Sequence, residues 1–402
     1  MSTLTGGAAG FRRAPAFLSY GFRPFFLAAG LWSALALLLW IAVFVTGRTL
    51  PSRFDPLAWH IHEMLFGFAM AAIAGFLLTA IPNWTGRQPV SGAPLAVLAT
   101  LWLLGRVSCV ISTLLPSWLA IMTDLLFPLL LMAVVAREIV AARNWRNLPM
   151  IGAITVLAAG ALMMHLEAVG VALPAGLGWR FALAAIIVLI SVVGGRIVPS
   201  FTRNWLVKQG AVSLPAEPDG IDRIALGILH GGLFAWVFFP VTHAVGALLL
   251  LAAALNLWRL LRWRGGATLA EPFLLVLHVG YGWLVLGTAL LGLAIMDADI
   301  PQSLAIHALT AGAIGTMTVA VMTRATRGHT GHPLSVDRAT IGIYLCVNAA
   351  AIVRIAAAIG GSWAMPMLAA SAILWVGAFA LFTLVYAPML LLPRPQGERS
   401  AV

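Results

Sequence analysis

The sequence predicts an all-α membrane protein that crosses the bilayer about twelve times, and three observations carry that prediction. Of its 402 residues, 61% are hydrophobic and only 9% are charged, against roughly a quarter charged in ordinary soluble domains. Apolar stretches of about 20 residues, long enough at 1.5 Å per residue to cross roughly 30 Å of hydrocarbon, recur along the chain. Arginine and lysine fall on alternate sides of those stretches with a strong bias.

In order, the stretches lie near 25–47, 57–81, 92–113, 117–136, 148–168, 177–199, 221–241, 244–263, 271–295, 302–323, 338–360 and 363–390. Each reads as helix, because backbone groups without water must close their hydrogen bonds within the segment, and none of the runs alternates as a lipid-facing barrel strand does. The first follows Arg12 and Arg13 but precedes no small-residue cleavage site, so it reads as a retained span. The longest interior break, roughly 200–220, carries VKQGAVSLPAEPDG and divides six spans from six. No break is long enough for a soluble domain, so 1–402 reads as one integral membrane domain with its chemistry among the helices. Cys109 and Cys346 show no CxxC or CxxCH pattern and read as packing residues.

Lys and Arg gather in cytoplasmic loops. With the N-terminus inside, eighteen of the 24 basic residues fall on the cytoplasmic side, only Arg48, Arg53 and Arg180 on the other, and Arg106, Arg196 and Arg354 within spans. Both termini are therefore expected in the cytoplasm. The net charge of +11 follows from this topology and from attraction to anionic membrane lipid, and no basic run with interleaved aromatics points to nucleic acid.

Ionisable residues within spans are costly and mark candidate sites. Counted inward by helical rise, His60, His62 and Glu63 of the second span lie in one layer within about 10 Å of the outer surface, together with Arg106, Asp124, His165, His307 and Arg354 from five other spans. His60 and His165 are near enough to the surface to snorkel or to ligate. Asp124 suits an ion pair with Arg106 or Arg354. His62 with His307 is the favoured ligand pair. His60 and His62 are two residues apart and diverge by about 200° on a regular helix, so they should serve different neighbours. A deeper layer holds His230 and His278, each followed by glycines that leave a groove for a flat macrocycle or for another helix. His243, His329 and His332 read as solvated turn or loop residues. Neutral imidazole binds copper and haem iron without adding charge, so the pattern suits metals better than a catalytic dyad.

Aligning His62 with His307 also aligns Gly67 with Gly312 and the TG at 85–86 with the TG at 330–331, while RIVPSFTRNW after the sixth span matches TAIPNWTGR after the second. Spans two, six and ten are four apart, which resembles the threefold, four-helix repeat of haem–copper oxidases. The stretches WHIHEMLFGFAMAAIAGFLLTAIPNWTG (59–86), GGRIVPSFTRNW (194–205) and HALTAGAIGTMTVAVMTRATRGHTG (307–331) resemble the NnrS family over nearly the whole chain. That resemblance implies a bacterial inner-membrane protein carrying haem and copper and linked to nitric oxide, in denitrification or nitrosative-stress defence.

On this basis the expected function is nitric oxide binding, with reduction to nitrous oxide, at haem iron beside a histidine-ligated copper. Glu63 is the expected proton carrier, Arg106 and Arg354 the partners of haem propionates, and His60, His62, His165, His230, His278 and His307 the candidate metal ligands. The haem is expected to be b-type, and a separate electron donor, soluble or in the membrane, is required. The competing classes are a non-catalytic nitric oxide sensor, a metal- or haem-handling protein, and a six-plus-six secondary transporter, the last of which would show Gly/Pro-broken spans in corresponding halves. Reporters fused at Val402 or inserted near Gly210 should be cytoplasmic, and one near Asp299 should lie across the membrane; any of these on the wrong side breaks the twelve-span topology.

Overall fold

The computed structural model describes residues 15–297 and 299–394. Arg12, Arg13 and Arg399, which enter the charge bias, lie outside the described residues. Twelve helices are long and apolar enough to span a membrane. They are α1 (Phe22–Thr46), α2 (Pro56–Thr85), α3 (Ala93–Val110), α4 (Ser117–Ala141), α5 (Leu148–Ala168), α6 (Leu177–Lys208), α7 (Gly220–Phe238), α8 (His243–Leu261), α9 (Pro272–Met296), α10 (Gln302–Thr330), α11 (Arg338–Ala357) and α12 (Ala364–Leu391). The described residues contain no strand.

Each helix falls on an expected span, and four run past their expected stops: α2, α4, α6 and α10 continue beyond 81, 136, 199 and 323. Pro82 and Pro199 lie within helix rather than ending it. A helix-interior proline removes one backbone bond and bends its helix without forcing it to end. What ends α2 and α10 is glycine in the left-handed region, Gly86 (φ 70°) and Gly331 (φ 78°), where a Cβ is penalised.

Consecutive helices pack as antiparallel neighbours, and α12 closes back on α1. Arg23, buried in the first turn of α1, donates from Nη1 to the carbonyls of Leu390 (3.0 Å) and Leu392 (2.7 Å) at the end of α12. The two ends of the described chain therefore share one end of the bundle. Burial is uneven: α2 is the most enclosed span, with 78% of its most apolar stretch buried, followed by α10 at 67%, whereas α11 and α12 stand at 33%. The helices that carry the quoted sequence signatures are thus interior, and much of the periphery faces outward with large apolar side chains such as Leu38, Leu103 and Leu384.

The internal repeat is visible in the backbone. A π-helical turn runs over Glu63–Ala69, starting one residue after His62, and another over Ala308–Ile314, starting one residue after His307. Single π turns within α-helices are rare and frequent at functional sites. In each, a glycine admits a tryptophan: a Cβ on Gly67 would lie 2.5 Å from Trp32 Nε1, and one on Gly312 would lie 2.6 Å from the Trp283 ring. Among the described residues α6 shows no matching π turn, so the repeat is explicit in two of the three spans.

Gly67→Leu and Gly312→Leu should therefore each lower stability by about 1–3 kcal/mol through overpacking, read as a fall in melting temperature in detergent. Gly152→Leu, at a position with open space, is the control and should leave melting unchanged.

Candidate metal centre and adjoining cavity

The second span starts on an anchored loop. Arg53 accepts nothing and donates much: its backbone N–H reaches Ser112 Oγ (2.8 Å), and its guanidinium reaches the carbonyls of Ser112 and Leu115 (2.6 Å for the latter), tying the α1–α2 loop to the α3–α4 loop. Asp55 caps α2, accepting from Leu57 N (2.9 Å) and Ala58 N (3.0 Å), with Pro56 at the first helical position. His60 and His62 follow on the last regular turn before the π segment and point to different faces, as the helical angle requires.

On one face, His62 meets α3, α4 and α5. Arg106 of α3 is the hub: its Nη1 donates to Glu63 Oε1 and Oε2 (both 2.8 Å), and its Nη2 bonds Asp124 Oδ1 of α4. All three side chains are buried. Trp32 Nε1 adds a bond to Glu63 Oε2 (2.8 Å), and His62 Nδ1 lies 3.1 Å from Glu63 Oε1. Asp124 Oδ2 takes His165 Nε2 of α5 at 3.0 Å. His62 Nε2 is 3.2 Å from the same oxygen but is not aligned for a hydrogen bond, leaving a buried ring nitrogen unpartnered. Cys109, one turn beyond Arg106, completes the group: ligand atoms of His62, Cys109, Asp124 and His165 all lie within 4.8 Å of one another. Phe54 of the anchored loop covers the cluster, its ring centroid 4.7 Å from that of His62 and 5.0 Å from that of His165.

Two imidazoles, a thiol and a carboxylate oxygen form a donor set suited to a four-coordinate transition metal. Electrostatics point the same way. Glu63 and Asp124 carry two negative charges against one on Arg106, and a cation at the cluster neutralises the excess.

The other face of α2 lines a cavity of about 380 Å³ between α1, α2, α6, α10, α11 and α12. His60, Met64, His307 and Arg354 reach it, among walls that include Trp40 and Trp375. His60 stacks on Trp40 with centroids 4.5 Å apart, and its Nδ1 is buried without a partner. His307 Nδ1 donates to the Ser303 carbonyl (2.6 Å), which fixes the tautomer and leaves Nε2 free as a ligand. Among the described residues Arg354 has no carboxylate partner and makes no side-chain hydrogen bond.

The single outer layer expected from helical rise is therefore two sites back to back across α2. His307 shares its site with His60, not with His62, because the ring at 62 turns away toward α4 and α5. Arg106 is the partner of Asp124, and with Glu63 also upon it, its charge is satisfied away from the cavity. Cys109 and Asp124 join His62 and His165; Cys109, read from sequence as packing, gave only one signal, its i+3 spacing from Arg106. The deeper pair does not assemble. His230 Nε2 bonds Ser191 Oγ (2.8 Å) and His278 Nε2 bonds Thr202 Oγ1 (2.9 Å). Those partners are eleven residues apart on α6, roughly 16 Å along its axis. Each histidine is a helix–helix contact, and neither lines the cavity at His60.

An interior cluster of this donor set within a twelve-span bundle defines a polytopic membrane protein with a candidate metal-binding centre. The family model for the NnrS protein matches residues 16–394, and the chain belongs to the NnrS family, which associates it with nitric-oxide-related membrane proteins. Comparison with curated proteins finds no match.

Removing Arg106 should be more damaging than removing its partners with it. Arg106→Ala leaves two buried carboxylates facing each other and should cost about 3–5 kcal/mol, lowering melting temperature and membrane yield. Adding Glu63→Gln and Asp124→Asn should recover much of that loss; a single variant as stable as wild type would show that the network is not what joins α2, α3 and α4.

Proposed function

We propose that the protein is a haem- and copper-containing protein of the bacterial inner membrane that binds nitric oxide in the cavity between His60 and His307. The observation that carries the reading is that cavity: two half-buried imidazoles with free ring nitrogens, flat aromatic walls and one unpaired guanidinium. These residues fit a haem. His60 would hold the iron, His307 would border the nitric oxide bound to it, and Arg354 would meet a propionate. On the opposite face His62, Cys109, Asp124 and His165 would hold copper, whose affinity for mixed imidazole and thiolate ligands exceeds that of the other divalent first-row metals.

When bound, haem iron would supply the nitric oxide site and copper a one-electron relay. The chain's own residues do the rest. Ser303 orients the His307 ring through its carbonyl, Trp40 packs flat against His60, and Phe54 keeps water from the copper ligands. Glu63, held by Arg106, Trp32 and His62, acts as a fixed anion that orients His62. A proton shuttle at this position would have to break the contact with Arg106. The two faces of α2 are separated by a helix width, on the order of 10 Å. This favours nitric oxide binding at the haem with electron exchange through the helix over the coupling of two nitric oxide molecules held between the metals. Reduction of two nitric oxide molecules to nitrous oxide and water takes two electrons and two protons, and on this layout both molecules would react on the haem side, with electrons from a separate donor.

The purified protein should show a Soret band that shifts on addition of nitric oxide, with near-stoichiometric copper by elemental analysis. Nitrous oxide released in the presence of a reductant would extend binding to turnover. A protein without a Soret band overturns the reading.

A further inference from the structure

Three cavities lie one after another along the bundle, between α2, α6 and α10. The first is the His60/His307 cavity. Beyond the π turns lies a chamber of about 100 Å³ whose walls include Ala72, Val193, Ile314 and Met317 and hold, apart from Thr318, no polar side chain. Ile314 is common to the chamber and to the histidine cavity. The third cavity, about 530 Å³, lies toward the other end of the bundle, with Arg196 and Arg324 on its wall. It shares Phe26, Phe76, Met150, Val193, Ile197 and Val321 with the chamber.

We infer that this series is a passage for a small uncharged diatomic molecule, joining the arginine-bearing end of the bundle to the histidine cavity, with Ile314 as its inner gate. The inference rests on the proposed function, in which nitric oxide is the molecule bound. The chemistry of the walls selects the cargo. Water and ions need polar partners, and an apolar chamber of this kind stays dry. The chamber, about 100 Å³ against about 380 and 530 Å³ on either side, is the narrow part of the series and suits a small molecule better than an acyl chain. A neutral diatomic needs neither polar partners nor length. The two π turns keep the passage open: residues Thr310, Ala311 and Ile314 of the second line the histidine cavity, as do Met64, Leu65 and Phe68 of the first. Small side chains, Ala69 and Ala72 on α2 and Gly194 on α6, leave the chamber its space. A Cβ on Gly194 would come within 2.8 Å of Met317 Cε and press it into that space.

Xenon is the probe, because it reports an apolar, gas-sized site without haem or nitric oxide. In crystals of the wild-type protein under xenon pressure, anomalous scattering should locate xenon in the chamber, and Val193→Trp should abolish that site. In the haem-loaded protein, Val193→Trp and, independently, Ile314→Trp should slow nitric oxide association at least tenfold with unchanged haem content. An empty chamber in wild type, acyl-chain density running through it, or unchanged association rates in correctly folded variants would overturn the passage. A protein that binds xenon there but carries no haem would instead overturn the proposed function and leave the passage standing.

Discussion

One guanidinium determines how the cavity-side and cluster-side faces of α2 are arranged. Arg106 lies inside an apolar bundle, where an unpaired charge is costly, and it is bonded to Glu63 of α2 and Asp124 of α4. That demand fixes the rotation of α2 about its axis. With Glu63 held against α3, His62 must face α4 and α5, and His60, about 200° around the helix, must face the opposite way. His60 therefore meets α10 and α11 at the cavity it shares with His307 and Arg354. The same ion pair positions Asp124 so that Oδ1 serves Arg106 and Oδ2 is left beside both imidazoles of the cluster.

The π turns add a second constraint. Each follows directly on a histidine and is seated under a tryptophan that only glycine admits, Trp32 on Gly67 and Trp283 on Gly312. The tryptophans hydrogen-bond to different groups: Trp32 to the buried Glu63 carboxylate, Trp283 to the Asn348 amide oxygen. A duplicated backbone device has thus been given a charged network on one side and a neutral one on the other. Within a bilayer that asymmetry matters, because the carboxylate side attracts a cation and the Trp283–Asn348 side does not.

Much of this was legible in the sequence. Span number follows from apolar length, and depth along a span follows from a fixed rise per residue, which brought His60, His62, Glu63, Arg106, Asp124, His165, His307 and Arg354 together as candidates. Rotation was not legible. Which way His62 faces, and whether Asp124 meets Arg106 or Arg354, depends on contacts between helices far apart in sequence, and no periodicity encodes them. His62 and His307 were paired because each ring is followed by small residues and neither is needed for packing, but that likeness, like their equivalence in the repeat, does not make two helices' residues touch. Cys109 was overlooked for a related reason: a lone thiol in an apolar run looks like packing until its neighbours are known. His230 and His278 matched in depth along their own helices, yet α6 receives them about three turns apart. Apolar length alone stops α2 and α6 short, because their helices continue through Pro82 and Pro199 beyond the apolar run.

The central claim is that α2 carries two separate centres on opposite faces, and the two histidines that open it test this most directly. His60→Ala and His62→Ala, purified in parallel, should be compared by elemental analysis for copper and by optical spectrum for haem. Opposite losses are expected: His60→Ala loses haem and keeps copper, and His62→Ala loses copper and keeps haem. Loss of the same single centre from both variants, with the other retained in both, would contradict it.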